Sequence, residues 1–166
     1  MKLIVMGLLI VQRLSLYFKF VEGENMIYRI STAIILTIVL VIFASTIKAG
    51  QAKEKIAIQQ AEKWLSVVDD ERYEDSWSKA ALFFRNAVSK DQWTGSMNAY
   101  RRPLGKMNER KLKNYKYMTR LPGAPDGEYV VIQFQTVFSN KKEAVETITP
   151  MLDEDGTWRV SGYFIK

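Results

Sequence analysis

The stretch that decides the fold is EYVVIQFQTVF, residues Glu128–Phe138. Apolar side chains recur along it with a period of two, as in a β-strand that buries one of its faces. The predicted buried face carries Val130, Ile132, Phe134, Thr136 and Phe138. The opposite face carries Tyr129, Val131, Gln133, Gln135 and Val137. We therefore expect this stretch to be a long strand at the centre of the domain.

Three further strands are predicted around this one. A polar segment, Arg110–Arg120, precedes it across the loop Leu121–Gly127, whose Pro-Gly and Asp-Gly pairs favour a compact connection. A third strand is expected at Glu143–Leu152, and Asp155-Gly156 then makes a tight hairpin turn into a last strand at Trp158–Phe164. Because short turns join consecutive strands, the sheet should be an antiparallel meander.

Upstream of the sheet the apolar spacing changes to that of helices. Ala57–Val68 carries one apolar stripe on an otherwise charged segment, and Tyr73–Val88 repeats the pattern. Ser89 and Gln92 form a predicted capping box at the start of a third helix, which Pro103 ends. The expected fold is α+β: three N-terminal helices packed on one face of a four-stranded antiparallel meander, preceded by a hydrophobic leader or anchor helix.

The leader is an apolar segment bounded by charges. Eighteen residues separate Arg29 from Lys48, a length between the cores of signal peptides, about 7–15 residues, and bilayer spans, about 17–25 residues. Gly50 and Ala52 supply small residues at the −3 and −1 positions of a cleavage site. We expect residues 26–52 to be a signal peptide or a single transmembrane anchor. Residues 53–166 would then be an exported domain, in the periplasm or anchored to the inner membrane with the C-terminal domain outside the cytoplasm.

The first 25 residues contain another apolar run, Leu3–Val11, ahead of a complete leader that starts at Met26. Two leaders in tandem make little physical sense. The residues Glu22–Asn25 can be encoded by codons that contain AAGGAG, a bacterial ribosome-binding sequence, just upstream of the Met26 codon. We interpret residues 1–25 as an upstream extension produced by a misassigned start site, with a short double-crossing hairpin as the alternative.

Five segments carry a resemblance to a known family: AEKWLSVVD, YEDSW, RRPLG, LPGAPDGEYVVIQFQTVF and ETITPMLDEDGTWRVSGYFIK. Over about residues 61–166 the chain resembles the bacterial family called domain of unknown function 4019. The resemblance implies an exported or envelope-associated domain related to the cone-shaped NTF2-like or cystatin-like α+β folds. It implies no reaction, so no catalytic residue is transferred from it.

Composition restricts the chemistry available to the chain. Histidine and cysteine do not occur, so the near-neutral acid–base group and the thiolate nucleophile are both missing. The acids concentrate at residues 69–75 and 153–155, in predicted turns, where carboxylates are usually solvated or cap helices. Asp153-x-Asp155-Gly156 begins like a calcium loop, but a strand replaces the later ligands. We expect no cofactor, no metal and no enzymatic activity. An NTF2-like enzyme with a buried carboxylate or tyrosine is the alternative.

The net charge of +6 is unevenly distributed. Residues 101–120 hold eight basic side chains and one acid, Glu109. A patch for anionic surfaces is predicted from Arg101, Arg102, Arg110, Lys111, Lys113 and Lys116. Its partner would be an anionic membrane surface or an envelope protein. The structural alternative is a solvated edge strand whose lysines prevent aggregation. Export argues against nucleic acid.

Aromatic side chains recur on the predicted helix stripes that face the sheet, and packing in the core explains them. They are Trp64, Trp77, Phe84, Trp93 and Tyr100. The cone-like folds implied by the resemblance often leave an apolar pocket between helices and sheet, which could hold a small apolar ligand. The candidate ligand-binding residues are Trp77, Phe83, Trp93, Arg102 and Tyr117. The sequence thus predicts an exported cell-envelope binding or interaction module, with a purely structural envelope protein as a further alternative.

Overall fold

The computed structural model describes the backbone of residues 26–166 and the side chains of residues 34–40 and 51–166. The predictions for residues 1–25 lie outside this range. Two compact units are distinguished, one ending at Lys48 and one comprising Ala49–Lys166. The second unit contains all four strands of the sheet. Across the described residues we find no helix with the length and apolar character that crossing a membrane requires.

Four α-helices precede four β-strands within residues 26–166. The helices are α1 (Met26–Asp69), α2 (Tyr73–Ser78), α3 (Leu82–Ala87) and α4 (Lys90–Ser96), followed by a π-helical turn (Met97–Arg101) and a 3₁₀ turn (Arg102–Leu104). The strands are β1 (Met107–Met118), β2 (Tyr129–Phe138), β3 (Lys141–Leu152) and β4 (Trp158–Ile165). The predicted α+β class is confirmed.

The sheet is the predicted antiparallel meander, with strand order β1-β2-β3-β4. In β2 the five side chains of the predicted buried face are all buried, as the period-two pattern requires. Strand β1 is an edge strand whose only pairing among the described strands is with β2. Its register shifts between Leu112 and Asn114, which marks a β-bulge. The meander therefore leaves one long, polar edge of the sheet open.

The prediction of one continuous helix over Tyr73–Val88 is wrong, because this stretch forms two short helices, α2 and α3. The chain leaves helical geometry after Ser78, and Ala81 is extended, with ψ of 150°. The backbone N–H of Ala81 donates to the carbonyl of Val160 at 2.8 Å. A helix interrupted in this way gains a hydrogen bond to β4, a tertiary contact that helical spacing alone does not indicate.

The third helix starts as predicted but ends differently. Ser89 and Gln92 form the reciprocal capping box. The prediction that Tyr100 faces the sheet is wrong, because Tyr100 is 78% exposed. The wider π-helical turn places Arg101, rather than Tyr100, on the buried side below Met97. The guanidinium group of Arg101 therefore enters the core, where the apolar pattern predicts the ring of Tyr100.

The main core lies between the helices and the inward face of the sheet. Trp93 of α4 is at its centre, with ring centroids 5.7 Å from Trp64, 5.1 Å from Phe84 and 6.3 Å from Tyr163. Its indole N–H donates to the hydroxyl of Ser76 at 2.9 Å. The aromatic side chains of three helices and of β4 are therefore packed into one cluster, which fixes the helices on the sheet.

Candidate functional site

A network of charged and polar side chains is buried at one end of this core. Each strand contributes one member: Arg110 from β1, Thr136 from β2, Glu146 from β3 and Tyr163 from β4. The helical layer adds Asp69, the last residue of α1, and Arg101, the last residue of the π-helical turn. We refer to these six residues as the buried ionic network.

Glu146 is the most enclosed member, with no exposed surface. Its Oε2 accepts from Nε of Arg110 at 2.6 Å and from the hydroxyl of Thr136 at 2.5 Å. Its Oε1 accepts from the hydroxyl of Tyr163 and from Nη2 of Arg110 at 3.2 Å. Both oxygens are therefore occupied by donors of the protein itself, as a buried carboxylate requires.

Asp69 connects the two arginines of the network. Arg110 binds it through two parallel hydrogen bonds, Nη1 to Oδ2 at 2.7 Å and Nη2 to Oδ1 at 3.0 Å. Arg101 donates from Nη2 to Oδ1 of Asp69 at 2.9 Å and from Nη1 to the carbonyl of Gly105 at 2.8 Å. The guanidinium carbon of Arg101 also lies 4.3 Å from the ring centroid of Phe138, a cation–π contact.

The charges of the network balance, because two carboxylates face two guanidinium groups. Burial by itself would lower the pKa of Arg110, but its hydrogen bonds to Asp69 and Glu146 raise that pKa above its ordinary value. Burial, reinforced by the neighbouring charge of Glu146, raises the pKa of Tyr163 well above its usual range. Arg110 therefore stays charged and Tyr163 stays protonated at neutral pH, so the tyrosine acts as a hydrogen-bond donor.

A polar pocket of about 410 Å³ lies at the turn that connects α1 to α2. Its lining consists of Glu71, Arg72, Tyr73, Glu74, Asp75, Thr94, Asn98 and Arg102. Glu71 has a left-handed backbone, with φ of 59°, and its carboxylate accepts from Arg102 at 2.9 Å and 2.7 Å. Tyr73 forms a buried part of the lining, and burial raises the pKa of its hydroxyl. We refer to these eight residues as the polar pocket.

The predicted anionic-surface patch is only partly on the surface. Lys111, Lys113 and Lys116 are exposed along β1. Arg101 and Arg110 are not part of a surface patch, because Arg101 is buried, Arg110 is largely buried, and both are paired with carboxylates in the ionic network. The burial of these two arginines has a physical cause, since a guanidinium can be buried when carboxylates accept its hydrogen bonds.

The remaining lysines define a narrower basic edge, consisting of Lys111, Lys113 and Lys116. Lys111 and Lys116 pair with Gln135 and Val131 and lie on the sheet face opposite to the core. Lys111 contacts Glu109 at 2.6 Å, whereas Lys113 and Lys116 take part in no ion pair with the described residues. The edge therefore presents positive charge on the outer face of the open strand.

The five candidate ligand-binding residues are not assembled into one cavity. Trp93 is in the core, and Trp77 is partly buried beside it, its indole N–H donating to the carbonyl of Val88 at 2.7 Å. Phe83 is partly buried on α3. Arg102 lines the polar pocket, and Tyr117 on β1 is partly buried against the core. Any binding role of these side chains stays a prediction, and among them the pocket includes Arg102 alone.

Tyr117 belongs to a small polar group at the opposite end of β1. Glu128 accepts from the ammonium group of Lys53 at 2.8 Å on both carboxylate oxygens. This hydrogen bond lowers the pKa of Glu128 and raises that of Lys53, while burial followed by a hydrogen bond to Glu128 raises the pKa of Tyr117. The ion pair joins Lys53 of α1 to the residue immediately before β2.

Sequence reasoning missed the buried ionic network, although one signal for it was present. Residues 144, 146, 148 and 150 alternate inward on β3 and are buried, so Glu146 occupies a core position in an otherwise apolar series. Such an acid requires a buried partner. Asp69 gave no comparable signal, because it stands in an acidic turn, where solvation is the ordinary expectation. The structure buries most of Asp69 instead.

These features define a class of protein: a small α+β domain with a balanced ionic network in its core and no metal-binding cluster of His, Cys, Asp or Glu among the residues described. The chain belongs to the family described as "Protein of unknown function (DUF4019)", whose model matches residues 60–163. The resemblance predicted over residues 61–166 is thereby confirmed. No protein of curated function matches the chain.

Proposed function

We propose that this protein is an exported, non-enzymatic binding domain of the bacterial cell envelope that attaches to anionic lipid headgroups through the basic edge. The observation that carries the proposal is the position of Lys111, Lys113 and Lys116 on the exposed edge strand of the sheet. Each basic side chain near an anionic membrane contributes about 1 kcal/mol of attraction. Three together supply useful but reversible binding.

The arrangement of the edge supports contact with a flat anionic surface. β1 is twelve residues long and is exposed over most of its length. Lys113 and Lys116 have no carboxylate partner among the described residues, so their charge is available to an external anion. Of the four arginines in residues 101–120, Arg101 and Arg110 are neutralised in the core, and Arg102 and Arg120 are paired with Glu71 and Asp126. The lysines of the basic edge, with their flexible stems, are therefore the proposed contacting groups.

Export is proposed on the character of the leader. Residues 34–40 of α1 are large and apolar apart from Thr37. The six apolar side chains are roughly half exposed or more: Ile34, Ile35, Leu36, Ile38, Val39 and Leu40. An aqueous environment is unfavourable for such a surface. A cleaved signal peptide, with cleavage after Ala52, accounts for this segment and for the small residues that follow it.

Binding rather than catalysis is supported by the condition of the buried acids. The oxygens of Glu146 accept hydrogen bonds from Arg110, Thr136 and Tyr163, so this carboxylate has no free position for a substrate proton. It also lies outside the lining of the polar pocket. We also propose a relationship to the NTF2-like and cystatin-like α+β folds, which is supported by the helices that precede the four-stranded antiparallel sheet.

Reversing the charge of the basic edge tests the attachment. The variant with Lys111, Lys113 and Lys116 changed to Glu should bind vesicles of anionic phospholipid at least about 100-fold more weakly, as expected from the loss of about 1 kcal/mol per lysine. The effect should be larger at low salt, because ions screen exposed charges. Co-sedimentation with vesicles of phosphatidylglycerol and phosphatidylcholine measures it.

A matched control distinguishes a specific effect of the basic edge from a general effect of the protein's net charge. Lys55, Lys63 and Lys79 are exposed on or beside the helices, and their change to Glu alters the net charge by the same amount. This control should retain most of the vesicle binding. Equal loss in both triple variants, or unchanged binding of the edge variant, would reject attachment through β1.

The mature N-terminus tests export. Intact-mass analysis of the protein recovered from the envelope fraction should show a chain that begins at Lys53, because Ala52 would be the last residue of the signal peptide. A chain that keeps residues 26–52 in the membrane fraction would contradict cleavage. A complete chain dissolved in the cytosol would contradict export altogether.

A further inference from the structure

The side of the sheet that points away from the helices carries no charge along its two central strands. The helical layer packs on the inner face, against Ile132, Phe134 and Ile148. We refer to the opposite side as the outer face. Its side chains on β2 and β3 are mostly half-buried, and all of them between residues 131–137 and 145–151 are neutral: Val131, Gln133, Gln135, Val137, Val145, Thr147, Thr149 and Met151. Charged residues make up 25% of the chain, so their depletion here is typical of the centre of an interaction surface.

One row of side chains crosses the outer face and ends at an exposed aromatic ring. Asn114 of β1 pairs with Gln133 of β2. Gln133 pairs in turn with Thr147 of β3, and Thr147 with Phe164 of β4. Directly paired side chains of an antiparallel sheet point to the same side, so Phe164 belongs to the outer face, where it is 54% exposed. Three strand spacings of about 4.8 Å each place it about 14 Å from β1.

Positive charge borders the neutral centre on both sides. Lys111 and Lys116 lie on the outer face at the β1 side, where the acid Glu109 is already bound to Lys111 at 2.6 Å. Beyond β4, the ammonium group of Lys166 lies 5.9 Å from the ring centroid of Phe164. A second copy of the chain laid on this face would bring basic borders together, whereas anionic headgroups complement them. The charges therefore favour a lipid surface as the occupant.

We propose that the outer face lies flat on the anionic membrane, with the ring of Phe164 among the headgroups and the helical layer directed away from the bilayer. This inference rests on the proposed function and adds to it an orientation and an apolar contact. Transfer of the exposed part of a phenylalanine ring out of water contributes about as much as one lysine near the membrane. The neutral centre approaches the headgroups without the cost of desolvating a carboxylate.

A fluorescent probe at position 164 tests the orientation on the full chain reconstituted in vesicles. The sequence has no cysteine, so Phe164→Cys provides a single attachment site for an NBD group. In vesicles of phosphatidylglycerol and phosphatidylcholine, the probe should emit at shorter wavelength and be quenched by nitroxide-labelled lipid. In vesicles of phosphatidylcholine alone it should remain in water. The matched control is Tyr100→Cys in the π-helical turn, at a residue that is 78% exposed, and its probe should remain in water in both.

A negative charge placed in the centre of the outer face supplies the second readout. Thr147→Glu, made together with Phe164→Cys, should lower the ratio of membrane-bound to free probe about fivefold, the effect of one unfavourable charge at an anionic surface. Gln59→Glu adds the same charge at an exposed position of α1 and should leave the ratio unchanged. An unchanged ratio in Thr147→Glu, or an equal loss in Gln59→Glu, overturns the flat orientation.

The remaining outcomes distinguish failure of this inference from failure of the proposed function. A probe at position 164 that stays in water, while the triple Glu variant of the basic edge still loses vesicle binding, overturns the orientation and leaves attachment through the edge intact. A probe in water together with full vesicle binding by the edge variant rejects both. Equal spectral shifts at positions 164 and 100 also overturn the orientation. A shift that grows with protein concentration without anionic lipid assigns the outer face to a second copy of the chain and overturns it as well.

Discussion

Arg110→Met is expected to lower the free energy of unfolding by about 3–5 kcal/mol, the usual cost of removing one partner of a buried ion pair. Methionine fills much of the volume of the arginine stem but donates no hydrogen bonds. Glu146, which has no exposed surface, would keep only the hydroxyls of Thr136 and Tyr163 as donors. Asp69 would keep only Arg101. Urea unfolding followed by tryptophan fluorescence measures the change.

The control is the same substitution at an exposed arginine. Arg102 binds Glu71 with comparable distances, but both side chains are about half exposed. Surface ion pairs contribute about 0–1 kcal/mol, so Arg102→Met should have a small effect. A loss below about 1 kcal/mol in Arg110→Met, no larger than that of the control, would show that the network does not stabilise the fold.

A double variant tests whether the loss of stability comes from the unpaired charge of Glu146 rather than from the lost volume of the Arg110 side chain. Adding Glu146→Leu to Arg110→Met removes the carboxylate that the single substitution leaves unpaired. The double variant should recover part of the lost stability, because an apolar pair avoids the desolvation of an isolated buried charge. A double variant as unstable as the sum of the two single variants would mean that the two side chains do not interact.

Trp93→Ala is expected to lower the free energy of unfolding by about 3–5 kcal/mol, as for other large aromatic residues truncated in a core. The ring contacts Trp64, Phe84 and Tyr163, and its N–H is the hydrogen-bond partner of the Ser76 hydroxyl. The cavity would open at the place where three helices meet the sheet. Chemical denaturation, with the two-state assumption checked by far-UV circular dichroism, measures the loss.

Trp77→Ala provides the comparison for this prediction. Trp77 is also a helical tryptophan with a bonded indole N–H, but it is only partly buried. Its truncation should therefore cost less than that of Trp93. If Trp93→Ala were as stable as the natural sequence and lost only a ligand, Trp93 would be a binding residue, as one of the sequence predictions has it.

The strands could be predicted well because their information is local. The alternation in residues 128–138 specifies both the strand and its buried face, and each buried position was found in the core. The Asp155-Gly156 turn needs a positive φ, and Gly156 has a φ of 77°. Such features depend on residues a few positions apart, so a sequence shows them directly.

The helical layer was predicted less well where distant contacts outweigh local pattern. The break at Ala81 depends on a hydrogen bond to Val160 on the last strand. The exposure of Tyr100 depends on the π-helical turn that brings Arg101 into the core. Helical spacing describes which side chains share a face, but it does not record which hydrogen bonds the finished sheet offers.

By itself, the sequence determined the α+β class, the meander, the capped third helix and membership of the family. Only the tertiary structure decided where the charges go. Arg110 meets Asp69 and Glu146, which are 41 and 36 residues away along the chain, and the three charges become partners only after the helices close over the sheet. A charged side chain has no intrinsic preference for the core, so its burial depends on partners that folding alone brings within hydrogen-bonding distance.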